Sequence, residues 1–144
     1  MKSTISEDIQ KLFHHYEDYF QKKDFKSQAG LFSKDLMAAG PTGVIHHSNN
    51  FLSRFLFHKA MNAFYTKAQL TSVKILSLDE SRISNEYYLV KVHWGAKFKK
   101  TGDQLIEYDI SYLIQSIRGD LKIVLFIAHE DEMQALKRHG IIEK

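Results

Sequence analysis

The sequence has no cysteine and only one proline among its 144 residues. The lack of cysteine excludes disulfide bonds and thiolate metal sites, and it is typical of the reducing cytoplasm, where we expect this protein to act. The single proline and seven glycines argue against a disordered chain or a flexible linker. Because the length is near the commonest size of one domain, we predict a single domain over residues 1–144.

Long apolar runs and dense charge are also missing. No apolar run approaches the roughly 20 residues that a helix needs to cross a bilayer, and the N-terminus lacks the apolar centre of a signal peptide. The net charge of +3 is small and the basic residues are scattered, whereas nucleic-acid binding favours a denser basic stripe with aromatics between the charges. We therefore expect neither a membrane nor a nucleic acid as a partner.

The first half of the chain has the periodicity of helices. Apolar residues recur at helical spacing from Ile5, and Thr4 with Glu7 fits a capping box, so we predict a helix from Ile5 to about Lys22. Asp24 can cap a short second helix. The stretch MAAGPTGVIHH, with two glycines around the proline, predicts a hairpin. Three consecutive N-cap residues, SNN, then precede a third helix, FLSRFLFHKAMNAFYTKA.

The second half changes to the alternation of strands. Four strand-like runs separated by short turn-forming stretches predict an antiparallel meander. The last run is apolar on both sides, so both of its faces should be covered, one by the helices and the other most simply by a second subunit. We therefore expect a homodimer through the outer face of the sheet. The runs are LTSVKILSL, YYLVKVHWGAKF, QLIEYDISYLIQSI and LKIVLFIAH.

The stretch after the last strand, HEDEMQALKRHG, holds a histidine followed by three acids. The acids open a final short helix and basic residues close it, which suits the helix dipole, so capping explains the acids and we expect them to point mostly to solvent. Gly140 is placed to end this helix in a left-handed conformation. Capping does not explain His129, which ends the strand in phase with Ile123 and Ile127.

The order of three helices and a strongly curved antiparallel sheet resembles the nuclear transport factor 2-like superfamily, which includes SnoaL-type polyketide cyclases, ketosteroid isomerases and scytalone dehydratase. The segments that carry the likeness are YEDYFQKKDFKSQAGLFSKDLMAAGPTG, the helix start NNFLSRF and the tail AHEDEMQALKRHGI. The resemblance implies an α+β cone, with three N-terminal helices packed on a curved, mainly antiparallel sheet and a short C-terminal helix. It also implies an apolar pocket between helices and sheet, and a dimer through the opposite face.

The likeness to ketosteroid isomerases covers one catalytic position of three. Their helix-1 tyrosine, which donates to the oxyanion, corresponds to Tyr16 by its spacing from Asp24. Their catalytic aspartate, before the proline of the first strand, corresponds to Gly40, and no acid stands near Tyr112, where their second acid lies. Because proton abstraction needs a base within hydrogen-bond reach, the resemblance argues against that isomerase activity.

Tyr16 and His129 are the candidate catalytic residues, with Tyr16 as the electrophile and His129 as the base, and a hydrogen bond to a neighbouring side chain is the alternative for Tyr16. Histidine titrates near neutral pH, which suits an acid or base, although a structural bond to the last helix is an alternative for His129. Aromatic residues on the apolar faces are predicted to line the pocket, with plain core packing as the alternative. These are Trp94, Tyr108, Tyr112, Phe20 and Phe55.

The eight histidines do not indicate a metal site. Two pairs, His14–His15 and His46–His47, are adjacent in sequence, and adjacent residues point to different faces of a helix or strand. The stretch HEDEM lacks the second histidine of a zinc-protease motif. We expect no metal site and no cofactor.

Three functions remain open from the sequence. The first, favoured by the missing isomerase carboxylates, is a mostly apolar pocket that binds a hydrophobic small molecule without turnover. The second is a cofactor-free lyase, cyclase or isomerase that uses His129 and Tyr16, which requires both side chains in one cavity, within about 3 Å of a common ligand atom. The third is a dimeric interaction scaffold with a filled interior.

Overall fold

A computed structural model describes residues 6–142 of the chain. Within that range the elements follow the predicted order, with helices before and after a hairpin, then a meander and a final short helix. The helices are α1 (Glu7–Gln21), α2 (Phe25–Ala29), α3 (Phe51–Ala68) and α4 (Glu132–Arg138), with a short 3-10 helix at Lys99–Thr101. The strands are β1 (Phe32–Gly40), β2 (Gly43–Ser48), β3 (Leu70–Arg82), β4 (Tyr87–Phe98), β5 (Ile106–Ile117) and β6 (Asp120–Ala128).

The six strands form one curved, open sheet in the order β2-β1-β6-β5-β4-β3. Neighbouring strands are antiparallel except β1 and β6, which run parallel. The predicted meander corresponds to β3 through β6, and the predicted hairpin to β1 and β2. The α+β class and the mainly antiparallel sheet are therefore confirmed. The third strand is longer than predicted, because β3 continues to Arg82 through residues that the sequence assigned to a turn.

Irregularities in strand pairing bend the sheet toward the helices. Register shifts interrupt the β1–β6, β3–β4 and β5–β6 pairs, and such bulges bend a strand and increase its twist. In β6, Ile123 pairs with Ile114 whereas Leu125 pairs with Leu113, so Val124 is an extra residue between them. Because side chains alternate between faces, this extra residue exchanges the two faces of β6 beyond it.

Helix α1 covers the concave face of the sheet. Its buried residues recur at the predicted spacing, and the predicted apolar face is confirmed for Ile9, Leu12, Phe13, Tyr16 and Phe20. Polar side chains of α1 also bind the edge strand β3. Glu17 accepts a hydrogen bond from the backbone N–H of Ile75 at 2.6 Å, and Gln21 accepts one from Val73 at 2.8 Å. These bonds satisfy amides that an edge strand would otherwise leave unpaired.

Polar residues cap the other helices as their sequence suggests. Asp24 accepts from the Ser27 N–H at the start of α2, and Asn50 accepts from the Ser53 N–H at the start of α3. Asp131 caps α4, and Gly140 follows that helix with a φ of 72°, as predicted.

The start of α1 differs from the prediction. The helix begins at Glu7, after Ser6, whose backbone N–H and hydroxyl both donate to the Glu80 carboxylate on β3. The expected capping partner Thr4 and the expected first helical residue Ile5 lie outside the described residues.

Helix α3 is packed less completely than its sequence suggested. Its buried residues are Tyr65 and Ala68, at its C-terminal end. The apolar residues of its first turns, including Phe51 and Phe55, are exposed instead of packed. None of the helices within residues 6–142 is long and apolar enough to span a bilayer.

We expect Phe13→Ala to lower the free energy of unfolding by about 3–5 kcal/mol, because the Phe13 ring is fully buried and its removal leaves a cavity. Urea unfolding of the variant and the wild type measures the difference. The matched control is Phe51→Ala, a change at a ring that is 75 % exposed, which should stay within about 0.5 kcal/mol of the wild type. Equal losses in the two variants would contradict the assignment of Phe13 to the core.

Candidate ligand pocket

A cavity of about 270 Å³ lies between the concave face of the sheet and helices α1, α3 and α4. A smaller recess of about 90 Å³ adjoins it and shares part of its wall. Most of the lining is apolar, which leaves a few polar groups to orient any occupant. The apolar lining includes Phe20, Phe32, Met61, Leu70, Ile110 and Phe126, and the polar lining includes Tyr16, Gln28, Tyr65, Tyr108, Glu130 and Glu132.

A hydrogen-bonded chain of three aromatic side chains ends at the cavity. The Trp94 Nε1–H donates to the Tyr112 hydroxyl at 3.1 Å, and Tyr112 donates to the Tyr16 hydroxyl at 3.3 Å. An indole N–H can only donate, so the Tyr112 hydroxyl accepts from Trp94, and its own proton points to the Tyr16 hydroxyl. Among residues 6–142 nothing accepts the proton of Tyr16. Burial raises the pKa of Tyr16 to about 12, so this hydroxyl remains a donor at neutral pH.

Glu132 contributes a carboxylate to the cavity from the first turn of α4. It accepts a hydrogen bond from the Tyr65 hydroxyl on α3. Burial raises the pKa of the Glu132 carboxyl, and the bond from Tyr65 opposes this change. The residue as a whole is exposed, which moderates the increase in pKa. The increase itself arises because the carboxyl group lines the cavity, where it is partly removed from water.

Tyr108 adds a second free hydroxyl to the cavity. Within the described part of the chain its hydroxyl has no hydrogen-bond partner, although the residue is half-buried and lines the cavity. Burial raises the pKa of Tyr108 well above its usual value, and the charges of Glu132 and Tyr16 add to the increase. The charge of Glu132 thus raises the pKa of both Tyr108 and Tyr16.

The residues predicted to form the pocket divide into three groups. Phe20 and Tyr108 line the cavity together with Tyr16. Trp94 and Tyr112 are fully buried behind its wall, where they support Tyr16 through the hydrogen-bonded chain. Phe55 does not reach the cavity, because it lies on the outward side of α3 and is 49 % exposed. Its neighbours Phe57 and Met61 on the other side of α3 line the cavity instead.

His129 lies on the opposite face of the sheet from Tyr16. It is exposed, and its Nε2 is 2.8 Å from the Ser111 hydroxyl on the outer face. The expected phase with Ile123 is wrong because the extra residue at Val124 exchanges the faces of β6. The sequence therefore placed His129 in the cavity only by assuming a regular strand. Tyr16 and His129 do not meet.

Glu132 is one of the polar cavity residues that the sequence did not identify, together with Gln28, Tyr65 and Glu130. The acids of HEDEM were explained by capping and expected to face solvent, and this holds for Asp131, which caps α4. Glu132 instead lies one helical turn before the buried Leu136, so both point to the same side of α4. The spacing of Glu132 to Leu136 is the sequence signal that could have identified it.

The outer face of the sheet carries a separate polar cluster around His93. Its Nδ1 lies 2.8 Å from Asp109 Oδ1 and its Nε2 lies 2.7 Å from Glu107 Oε1. These two hydrogen bonds raise the pKa of His93. His93 therefore lies outside the cavity, and residues 6–142 contain no group of three or more His, Asp or Glu side chains arranged for a metal ion.

Comparison with solved structures identifies the architecture. No protein-family model and no curated protein matches the sequence. An NTF-2-like protein of unknown function from Shewanella oneidensis MR-1 superposes with a TM-score of 0.60 at 14 % identity, covering 85 % of this chain and 97 % of that one. The fold is that of the nuclear transport factor 2-like superfamily.

Two further structures share this nuclear transport factor 2-like fold. Aln2 from a Streptomyces species superposes with a TM-score of 0.67 at 8 % identity, over 92 % of this chain and 97 % of that one. The beta subunit of benzoate 1,2-dioxygenase from Burkholderia mallei has a TM-score of 0.62 at 15 % identity, over 93 % and 95 % of the two chains. At such identities the likeness establishes the fold alone.

Within the nuclear transport factor 2-like fold, this chain differs from ketosteroid isomerases in where its carboxylate lies. Gly40, at the position of their base, ends β1 and is followed by a turn. The carboxylates that line the cavity include Glu130 and Glu132, which come from the C-terminal end of the described chain. Tyr16 lines the same cavity.

We expect Glu132→Gln to change the pH dependence of stability. A folded-state pKa raised above the unfolded value, near 4.5, means that the wild type loses stability as pH rises from that value through the folded pKa. The variant cannot ionise, so its melting temperature relative to the wild type should be higher at about pH 8 than at about pH 4. Thermal unfolding at both pH values measures this difference.

The matched control for this change is Glu86→Gln, which removes an exposed carboxylate from the β3–β4 turn. It should show no comparable dependence on pH. If the melting temperatures of Glu132→Gln and the wild type differ by the same amount at both pH values, the raised pKa of the Glu132 carboxyl is contradicted.

Proposed function

We propose that this protein binds a hydrophobic small molecule that carries a hydrogen-bond acceptor, such as a carbonyl oxygen. The observation that carries the proposal is the Tyr16 hydroxyl, which lines a mostly apolar cavity and has no acceptor for its proton among the described residues. Leaving a buried donor unpaired costs about 1–3 kcal/mol, so an acceptor on a ligand recovers this loss. The hydroxyl is already oriented by Tyr112 and Trp94.

The size of the cavity limits the ligand. Pockets for drug-sized molecules have volumes of roughly 300–1,000 Å³, and the cavity of about 270 Å³ lies just below this range. The adjoining recess of about 90 Å³ offers room for an apolar extension past Phe57. The proposal therefore concerns a compact apolar molecule.

A second polar end of the ligand can bind at Glu132 and Tyr108. The Tyr108 hydroxyl is free to donate or accept, and the Glu132 carboxyl holds one bond from Tyr65 and keeps further acceptor capacity. A hydroxyl or phenol group on the ligand suits this pair. The interior is not filled by its own side chains, which disfavours the scaffold alternative.

Acid–base turnover is the second candidate function, with Glu132 in the role that the sequence gave to His129. A carboxyl group whose pKa is raised toward neutrality is better suited to exchange protons at physiological pH. In such a reaction Glu132 takes the proton from a carbon next to a carbonyl, and Tyr16 donates to the oxygen on which the charge develops. The test is exchange of that carbon-bound hydrogen for deuterium in D₂O, which Glu132→Gln should abolish.

We expect Tyr16→Phe to weaken ligand binding. A panel of hydrophobic carbonyl compounds tested by thermal shift should raise the melting temperature of the wild type, because binding to the native state stabilises it. For a compound that does so, loss of the Tyr16 donor should weaken binding by roughly tenfold, corresponding to about 1–1.5 kcal/mol for one hydrogen bond.

The matched control is Tyr19→Phe, which removes a hydroxyl from the same helix outside the cavity lining. It should bind the compound as the wild type does. The binding proposal fails if no compound in a broad panel stabilises the wild type, or if both variants lose affinity equally.

We also propose a homodimer through the outer face of the sheet. Apolar side chains on this face, Leu89 on β4 and Ile127 on β6, are each 38 % exposed, and Leu113 and Leu125 pair between them. A contiguous apolar patch on a sheet surrounded by polar side chains is typical of a protein–protein interface. The His93 cluster lies at its border.

We expect Ile127→Glu to convert this dimer to a monomer, because it buries a charge in the interface. Light scattering on the purified protein measures the mass. The matched control, Ile83→Glu, alters an isoleucine that is exposed outside the sheet pairs and should leave the mass unchanged. A wild type that is monomeric at high concentration would overturn the proposal.

Other expectations from the sequence stay predictions. They are the extent of a single domain over residues 1–144, the cytoplasmic location and the lack of a cofactor.

A further inference from the structure

We propose that the exposed face of α3 docks onto the surface of an anionic lipid bilayer. The sequence argued against a membrane partner because it has no spanning segment, and a peripheral contact requires different features. It requires an exposed apolar strip on a helix, flanked by basic residues and free of acids. The first two turns of α3 and the residues around them have these features.

The apolar strip consists of Phe51, Leu52, Phe55 and Leu56. Their exposed fractions are 75 %, 63 %, 49 % and 54 %. Residues four apart lie on the same side of a helix, so these four side chains form one continuous patch. Single exposed apolar residues are common on proteins, but four large ones on one side of a helix indicate a surface that is covered in use.

The packing of α3 leaves this strip without a role inside the described fold. The helix packs mainly against α2, and its buried residues, Tyr65 and Ala68, lie at the far end. Phe57 and Met61, on the other side of α3, line the cavity. The helix thus presents one apolar side to the interior and a second apolar side to solvent, and only the first is explained by the fold.

The charge around the strip favours an anionic partner. From Leu36 to Leu78 the chain contains no aspartate or glutamate, although it contains lysine and arginine. Lys59 and Lys67 are exposed and follow the strip on the same side of α3. Lys26 of α2 lies over the exposed ring of Phe51, with its Nζ 5.3 Å from the ring centroid. Basic residues near a membrane surface are attracted to anionic lipids.

Two acids in the elements next to α3 make their contacts with other groups. Asp24 caps α2 and accepts hydrogen bonds from Ser27. Asp35 on β1 lies 3.4 Å from the His46 ring on β2. Neither carboxylate interacts with Lys59 or Lys67 in the described structure, so the basic charge next to the strip is not neutralised by the protein itself.

Two other partners fit this face less well. A symmetric dimer would place the same surface of each subunit against the other, which brings like charges at Lys26, Lys59 and Lys67 together. Nucleic acids bind aromatic side chains interleaved with basic ones, whereas this strip contains the aliphatic Leu52 and Leu56 and is apolar throughout. Phenylalanine and leucine beside lysine match the boundary between lipid headgroups and acyl chains.

Binding to vesicles tests the proposal directly. We expect the full-length protein to sediment with vesicles made of equal parts phosphatidylcholine and phosphatidylglycerol, and much less with vesicles of phosphatidylcholine alone. The double variant Phe51→Ser with Leu52→Ser should bind the anionic vesicles at least about tenfold more weakly, because it removes the most exposed part of the strip. Lys59→Glu should weaken binding as well.

Matched control variants distinguish binding through this surface from nonspecific binding of the protein to vesicles. Ile83→Ser with Ile117→Ser removes two apolar side chains that are 61 % and 52 % exposed elsewhere on the protein. Lys100→Glu makes the same charge change in the exposed 3-10 helix. Both controls should bind the vesicles as the wild type does, and circular dichroism should show that every variant remains folded.

Several results would overturn the proposal. One such result is that the wild type does not sediment with anionic vesicles. Another is that the control variants lose binding to the vesicles as strongly as the α3 variants do. A third would be a dimer in light scattering that the double variant Phe51→Ser with Leu52→Ser dissociates, because this would assign the strip to contact with a second copy of the chain. A fourth would be a short DNA duplex that binds the wild type and displaces it from the vesicles. Since none of these measurements requires a ligand in the cavity, their outcome is independent of the proposed small-molecule binding.

Discussion

The position of the first helix on the sheet depends on three buried aromatic side chains whose polar atoms must find partners inside the protein. Trp94, Tyr112 and Tyr16 satisfy each other in sequence, from β4 to β5 to α1. An unpaired polar atom at this depth costs about 1–3 kcal/mol, so the chain of bonds favours one placement of α1. That placement brings the Tyr16 hydroxyl to the edge of the cavity, where its proton has no acceptor among the described residues.

The cavity exists because the curved sheet encloses a larger volume on its concave side than the helices fill. Bulges in three strand pairs bend the sheet, and α1 packs tightly into one part of the concave face. Helix α3 and helix α4 cover the remainder through Tyr65, whose hydroxyl bonds to Glu132. The polar atoms of the cavity are thus contributed by elements far apart in the chain, and they converge because the same curvature separates the helices from the sheet.

The sequence predicted the periodic parts of this fold well. Alternation along β4 and β5 placed Trp94, Tyr108 and Tyr112 on the inner face, where the structure has them. The helical spacing of Phe13 and Tyr16 likewise identified the buried side of α1. These predictions depend only on the repeat of a regular element, and they hold wherever that element is uninterrupted.

Predictions that required a regular element beyond an irregularity were wrong. One extra residue at Val124 moved His129 to the outer face. Phe55 was expected in the pocket because α3 is apolar on nearly every side, so its pattern could not show which side turns inward. Glu132 was missed because capping and cavity lining use the same residue type at the same position of a helix.

The sequence by itself determined the class of the fold, the order of its elements and the buried side of α1 that carries Tyr16, since neighbouring residues determine local periodicity and capping. Only the tertiary structure decided that Glu132 and not His129 lines the cavity together with Tyr16. The physical reason is that a bulge or the rotation of a short helix changes the direction of a side chain without changing the pattern of apolar residues around it.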